Sequence, residues 1–212
     1  MQRLQPWIRL ADRLGALAAQ LGAARIDALG VRYYGALVES PGVDVLAASA
    51  ATGLLRPILS SGVSIVNARA VARARGIDIA ETRSSRSRHF TSLLSIKLHT
   101  DAGERWVEGT VFEPNSLRLV SVRGVEVEAP LGGTLLIVAN DDQPGVIGEV
   151  GTILGRHKVN IANFALGRGA DGAIGVVNVD EDASTPGTLD AAVAEIRKIR
   201  AVREVSVVRL GS

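Results

Sequence analysis

An apolar run, Leu135-Leu136-Ile137-Val138-Ala139, leads into Asn140-Asp141-Asp142-Gln143-Pro144-Gly145 and then into an amphipathic stretch from Val146. This places a carboxylate and carboxamides just ahead of a helix N-terminus. Such an end carries unpaired backbone N–H groups and partial positive charge, so it can receive the carboxylate of a small ligand. Asp142 can meet an ammonium group at the same place. Together these features suit a free amino acid, which bears both charges. Further on, Val159-Asn160-Ile161 supplies a carboxamide that can both donate and accept. The alternative is architectural, with Asp142 capping the helix and Asn160 holding a turn.

A second cluster, Arg83-Ser84-Ser85-Arg86-Ser87-Arg88-His89, groups guanidiniums, hydroxyls and an imidazole in one loop. Guanidinium forks match the geometry of phosphate and carboxylate, so Arg83, Arg86, Arg88 and His89 are candidates for an anion site. A solvated basic loop is the alternative. Other groups carry less chemistry. Gly167-Arg168-Gly169-Ala170-Asp171-Gly172 spells G-x-G-x-x-G, but an apolar strand pattern follows it where a dinucleotide fingerprint requires a helix. It is expected to be a hairpin loop. His99 and His157 are isolated, without metal-ligand spacing. Asp180-Glu181-Asp182 lacks calcium-loop spacing. The serines of the basic loop sit in no nucleophile elbow. No catalytic residues, metal or cofactor are expected in this chain.

The elements that position these groups are legible from periodicity. Residues 3–21 repeat apolar side chains at helical spacing. Residues 26–38 suggest a strand, and Pro41-Gly42 turns into a helix from Val43 to about Leu59. Ser60-Ser61-Gly62 stops that helix, Val63–Val66 is ambiguous, and Asn67 is expected to cap a helix to Arg75. Ile77–Thr82 suggests a strand. Alternation and turns over 90–128 predict an all-β stretch. Ala129-Pro130-Leu131-Gly132-Gly133 is the best linker. Residues 134–210 then read β-α-β-β-α-β, the ferredoxin-like split pattern, with strands near 134–139, 161–168, 173–179 and 203–209 and helices near 145–157 and 187–200. Gly148 and Gly151 on the first of these helices are expected to allow close helix–sheet approach.

Composition sets the outer limits. The 212 residues are 47% apolar and 22% charged, enough for one large or two small α/β domains. A net charge of +2 and 3% aromatics argue against a nucleic-acid partner. No run reaches the roughly 20 apolar residues of a membrane span. With no cysteine, disulfides and thiolate metal sites are excluded, which fits a cytoplasmic protein.

These motifs carry a resemblance. Pro144-Gly145-Val146-Ile147-Gly148 and Val159-Asn160-Ile161-Ala162-Asn163-Phe164 resemble the ACT domain found in D-3-phosphoglycerate dehydrogenase. Residues 6–21, Val66-Asn67-Ala68, Ser92–Lys97 and Glu108-Gly109-Thr110-Val111-Phe112 resemble the intervening domain of that enzyme's long form. The resemblance implies a mixed α/β intervening domain, residues 1–129, a linker at 130–133, and a ferredoxin-like βαββαβ ACT domain, residues 134–212. It implies a regulatory region, without the NAD-dependent catalytic part, that binds an amino-acid effector, L-serine above all, where two ACT domains pair in a homo-oligomer. Asn140, Asp142, the backbone N–H groups near Val146, and Asn160 are the implied contacts; many members carry His at the place of Asn140. It also implies a second, anionic site in the intervening domain. Other possibilities are a segment of a full dehydrogenase, a regulatory subunit like that of L-serine dehydratase, and a stand-alone sensor acting on a partner protein.

Overall fold

Helix α1 (Gln5–Gln20) begins with Pro6 in its first turn, where a missing N–H costs nothing. It buries Leu10, Leu14 and Leu17, spaced for one face. Strand β1 (Ile26–Gly35) follows. The strand pattern was expected to run to residue 38, but it stops at Gly35. There φ is 63°, and a short 3-10 turn, Ala36–Glu39, takes over. Helix α2 (Val45–Leu55) is apolar on every side and buried along most of its length. It ends ahead of Pro57, which has no N–H with which to continue the helical ladder.

Helices α1 and α2 pack at backbone distance. A Cβ at Gly15 would lie 2.1 Å from Ala50 O, and one at Gly53 would lie 1.8 Å from Asp12 O. Arg56 donates two hydrogen bonds to the Asp12 carboxylate, each 2.9 Å. Helix α3 (Ala68–Ala74) precedes β2 (Asp78–Ser84), so the chain from β1 to β2 is a helical crossover and the two strands pair in parallel. Antiparallel strands β3 (Ser92–Thr100), β4 (Gly103–Phe112) and β5 (Ser116–Val122) continue the sheet in the order β2-β1-β3-β4-β5. Asn67 sits at the start of α3 without capping it. Its backbone is helical, and its side chain turns back to accept from Ser64 N at 2.8 Å and donate to Gly62 O at 2.7 Å.

This computed structural model describes residues 4–22, 24–59, 62–86, 88–112, 114–181 and 187–211. Ser60, Ser61, Ser87 and Asp182, named in the sequence patterns above, lie outside the described residues. The chain divides into two units, Met1–Gly124 and Val125–Ser212. The segment expected as a linker, 130–133, lies within the second unit.

The second unit opens with β6 (Val125–Pro130) and continues as β7 (Thr134–Asn140), α4 (Val146–Arg156), β8 (Asn160–Gly169), β9 (Gly172–Asp180), α5 (Thr188–Ile196) and β10 (Val202–Arg209). Strands β7 to β10 form an antiparallel sheet in the order β10-β7-β9-β8, the ferredoxin-like arrangement. Helices α4 and α5 bury Val150, Ile153, Leu154, Ala192, Val193 and Ile196 against Leu136, Val138, Val177 and Val179. Gly148 and Gly151 do not mediate close approach: a Cβ at either would meet nothing within 4 Å, because both point away from the sheet. Close approach occurs instead at Gly167, where a Cβ would lie 2.1 Å from Glu126 O of β6. The G-x-G-x-x-G segment is the β8–β9 hairpin, with Gly169 opposite Gly172. Among the described residues no helix is long and apolar enough to cross a membrane.

Candidate effector site

Asn140 ends β7 opposite Ala173 of β9, which in turn stands opposite Arg168 of β8. Its side chain is buried, with a long contact of 3.4 Å from Nδ2 to Val138 O. The turn then carries Asp142 to the surface. Asp142 does not cap α4; the residue ahead of the helix is Gly145, at φ 94°, which offers no capping side chain. The Asp142 carboxylate meets Arg168 instead, with Nε donating to Oδ1 at 3.2 Å and lying 3.1 Å from Oδ2. The first helical bond is Glu149 N to Gly145 O at 2.9 Å, so the N–H groups of Val146, Ile147 and Gly148 precede the helical ladder. In the same turn, Asp141 accepts from Arg203 at 2.5 Å. Arg168 and Arg203 were missed from the sequence, because the hairpin and the β10 pairing bring them here from distant positions.

Asn160 stands elsewhere. It opens β8 opposite Asp180, and its Nδ2 donates to Asp180 Oδ2 at 2.6 Å. The seven residues of β9 between the Asn140 level and the Asn160 level span roughly 23 Å at strand rise. One copy of the unit therefore brings Asn140, Asp142 and Val146 together and leaves Asn160 at the opposite end of the sheet. Strand β8 is an edge of its sheet, so its outer backbone groups have no neighbouring strand within that sheet.

The four basic candidates of the first unit also separate. Arg83 pairs with Asp44. Arg86 is exposed. Arg88 reaches over the sheet: one nitrogen donates to Glu108 Oε1 at 2.7 Å, and its guanidinium lies 5.3 Å from the Tyr34 ring and 5.9 Å from the Trp106 ring. Burial pushes the Glu108 carboxyl above the usual range, against the opposing pull of Arg88 and hydrogen bonds from Ser95 and Trp106. Arg88 and His89 line a cavity together with Gly35, Ala36, Glu39, Ser85, Phe90 and Thr91. Tyr33, fully buried, donates to Glu81 at 2.7 Å, and burial with that carboxylate raises its hydroxyl pKa. Among the described residues no group of three or more His, Asp or Glu is placed to hold a metal ion.

Comparison with known proteins adds the following. Residues 3–123 match the D-3-phosphoglycerate dehydrogenase intervening domain and residues 133–200 match the ACT domain. The D-3-phosphoglycerate dehydrogenase of Synechocystis sp. is 32% identical over 210 residues, covering 99% of this chain and 37% of that protein. That of Archaeoglobus fulgidus is 31% identical over 211 residues, covering 98% and 39%. That of Bacillus subtilis is 28% identical over 180 residues, covering 85% and 34%. The chain thus spans less than two-fifths of the length of these relatives. A homoserine dehydrogenase from Thiobacillus denitrificans aligns with a TM-score of 0.31 at 13% identity, over 56% of this chain and 35% of that one, a likeness too slight to bear on the fold.

Proposed function

Because the chain belongs to the family of the D-3-phosphoglycerate dehydrogenase intervening domain, followed here by an ACT domain, we propose that it is an amino-acid-sensing regulatory region, with L-serine as the effector. The observation that carries this is the divided site: Asn140, Asp142 and the α4 N-terminus at one end of the sheet, Asn160 at the other, joined by an unpaired edge strand. Two copies pairing antiparallel through β8 about residues 164–165 would set Asn160 of one copy opposite the Arg168–Gly169 end of the other. Asp142 would then exchange Arg168 for the effector's ammonium, a charge-assisted bond. The carboxylate would face the N–H groups at Val146 and the carboxamide of the second copy's Asn160.

The proposed mechanism is linkage. An effector that binds the paired arrangement better than the unpaired one shifts the balance between them, with a coupling of about 1–3 kcal/mol, and an attached catalytic unit such as the dehydrogenase part of the relatives would respond. Calorimetric titration with L-serine, glycine, D-serine and L-alanine tests this. L-Serine should bind with one site per pairing half and should favour the dimer in sedimentation. Asn160→Ala should abolish the heat. No heat from any of the four at millimolar concentration would sink the effector assignment.

A further inference from the structure

The turn between β7 and α4 carries two adjacent aspartates, and each meets an arginine brought from far along the chain. The two pairs are built differently. Asp141 is held twice: its N–H donates to Ala201 O at 2.8 Å, and its carboxylate accepts from Arg203 of β10. The Arg203 guanidinium in turn lies against the β8–β9 hairpin, where a Cβ at Gly172 would stand 3.0 Å from it. Among the described residues, the Asp142 carboxylate meets Arg168 alone, and Arg168 meets Asp142 alone. One nitrogen, Nε, lies 3.2 and 3.1 Å from the two carboxylate oxygens. The Arg168 side chain is 72% exposed, against 52% for Arg203. An exposed pair of this kind contributes little and is screened by salt. The same two oxygens are those that a ligand's ammonium must reach. A guanidinium already there blocks them and repels the incoming charge.

We propose that Arg168 is a resident competitor at the effector site. It occupies Asp142 in the empty protein, the effector's ammonium displaces it, and the ion pair lost on binding weakens the effector's hold. Arg203 has no such part, because its pair fixes the turn. The proposal rests on the reading of this turn as the effector site.

The signature is a gain in affinity on removing a cation, together with a change in salt dependence. In the native chain one ion pair replaces another at Asp142, so that contact adds little salt dependence. Without Arg168 a pair forms and none is broken, so affinity falls as salt rises. L-Serine is titrated calorimetrically into the native chain, Arg168→Gln and Arg168→Lys at about 0.02 M and about 0.2 M salt. Arg168→Gln should bind roughly two- to fivefold more tightly at low salt and lose most of that gain at high salt. Arg168→Lys keeps the charge and should stay near the native affinity. Sedimentation without serine should show unchanged pairing in Arg168→Gln. If the native chain binds serine and Arg168→Gln binds it no more tightly, the competitor role is overturned and the effector reading stands. Tighter pairing of Arg168→Gln before serine is added would place the gain in the interface and also overturn it. If no chain binds an amino acid, both readings fall together.

Discussion

Substituting alanine for glycine inside a helix ordinarily stabilises it by roughly 1 kcal/mol, and at Gly53 the sign should reverse. A Cβ there would stand 1.8 Å from Asp12 O and 2.7 Å from Asp12 C, both main-chain atoms of α1. No rotamer change can relieve such a clash, so α1 and α2 must part by roughly 1 Å to restore van der Waals contact. Overpacking of this kind costs about 1–3 kcal/mol, and separating the helices also loosens the fully buried Leu14, Leu46 and Leu54 around the contact. After subtracting the propensity gain, Gly53→Ala should lose up to about 2 kcal/mol. Gly148→Ala is the control: it lies in α4 with nothing within 4 Å of the new methyl, and should gain about 0.5–1 kcal/mol. Both tryptophans lie in the first unit, so their emission during urea unfolding follows that unit alone, while far-UV circular dichroism follows both. A Gly53→Ala midpoint at or above wild type would show that the two helices do not meet at backbone distance.

Two further outcomes follow from buried polar groups. Burial raises the folded pKa of Glu108, so the folded state holds its proton more tightly than the unfolded chain. Its contribution to stability is therefore present at low pH and is lost as pH rises from 4.5 through the raised folded value. Glu108→Gln removes that slope, and the stability of wild type minus variant, from urea titrations across pH 4–8, should fall with rising pH; a difference that climbs would contradict the assigned burial. Asn178, buried in β9, donates to Pro130 O at 2.9 Å and lies 3.4 Å from Gly132 O. Asn178→Ala should cost about 1–3 kcal/mol and speed amide exchange over residues 130–133, and unchanged exchange there would mean that the segment is held by other contacts.

The order of elements was legible in the sequence because each obeys a local rule. Alternation marked β3 to β5, turn residues marked the hairpins, and the β-α-β-β-α-β succession from Thr134 onward fixed a ferredoxin-like unit whose sheet order then follows from antiparallel pairing. The same local logic exposed Gly167–Gly172 as a hairpin. Where the rule concerned a side chain's target, it failed. Asn67 stands where a cap belongs yet bonds backward, and Gly148 and Gly151 face away from the sheet they were expected to approach. The helical period tells which residues share a face but not what lies opposite that face.

The candidate sites divide along the same line. Sequence alone placed a polar turn before α4 and an asparagine before β8, since both are short-range patterns of residue type. Only the strand register shows that these groups lie at opposite ends of one sheet, which is why the proposed site draws on a second copy. Only the fold brings Arg168 to Asp142, Asp180 to Asn160 and Glu108 to Arg88, pairs separated by 20 or more positions in the chain. Residue type and spacing decide which charges a chain can offer. Which of them are already neutralised depends on contacts distant in sequence, and those exist only once the chain has folded.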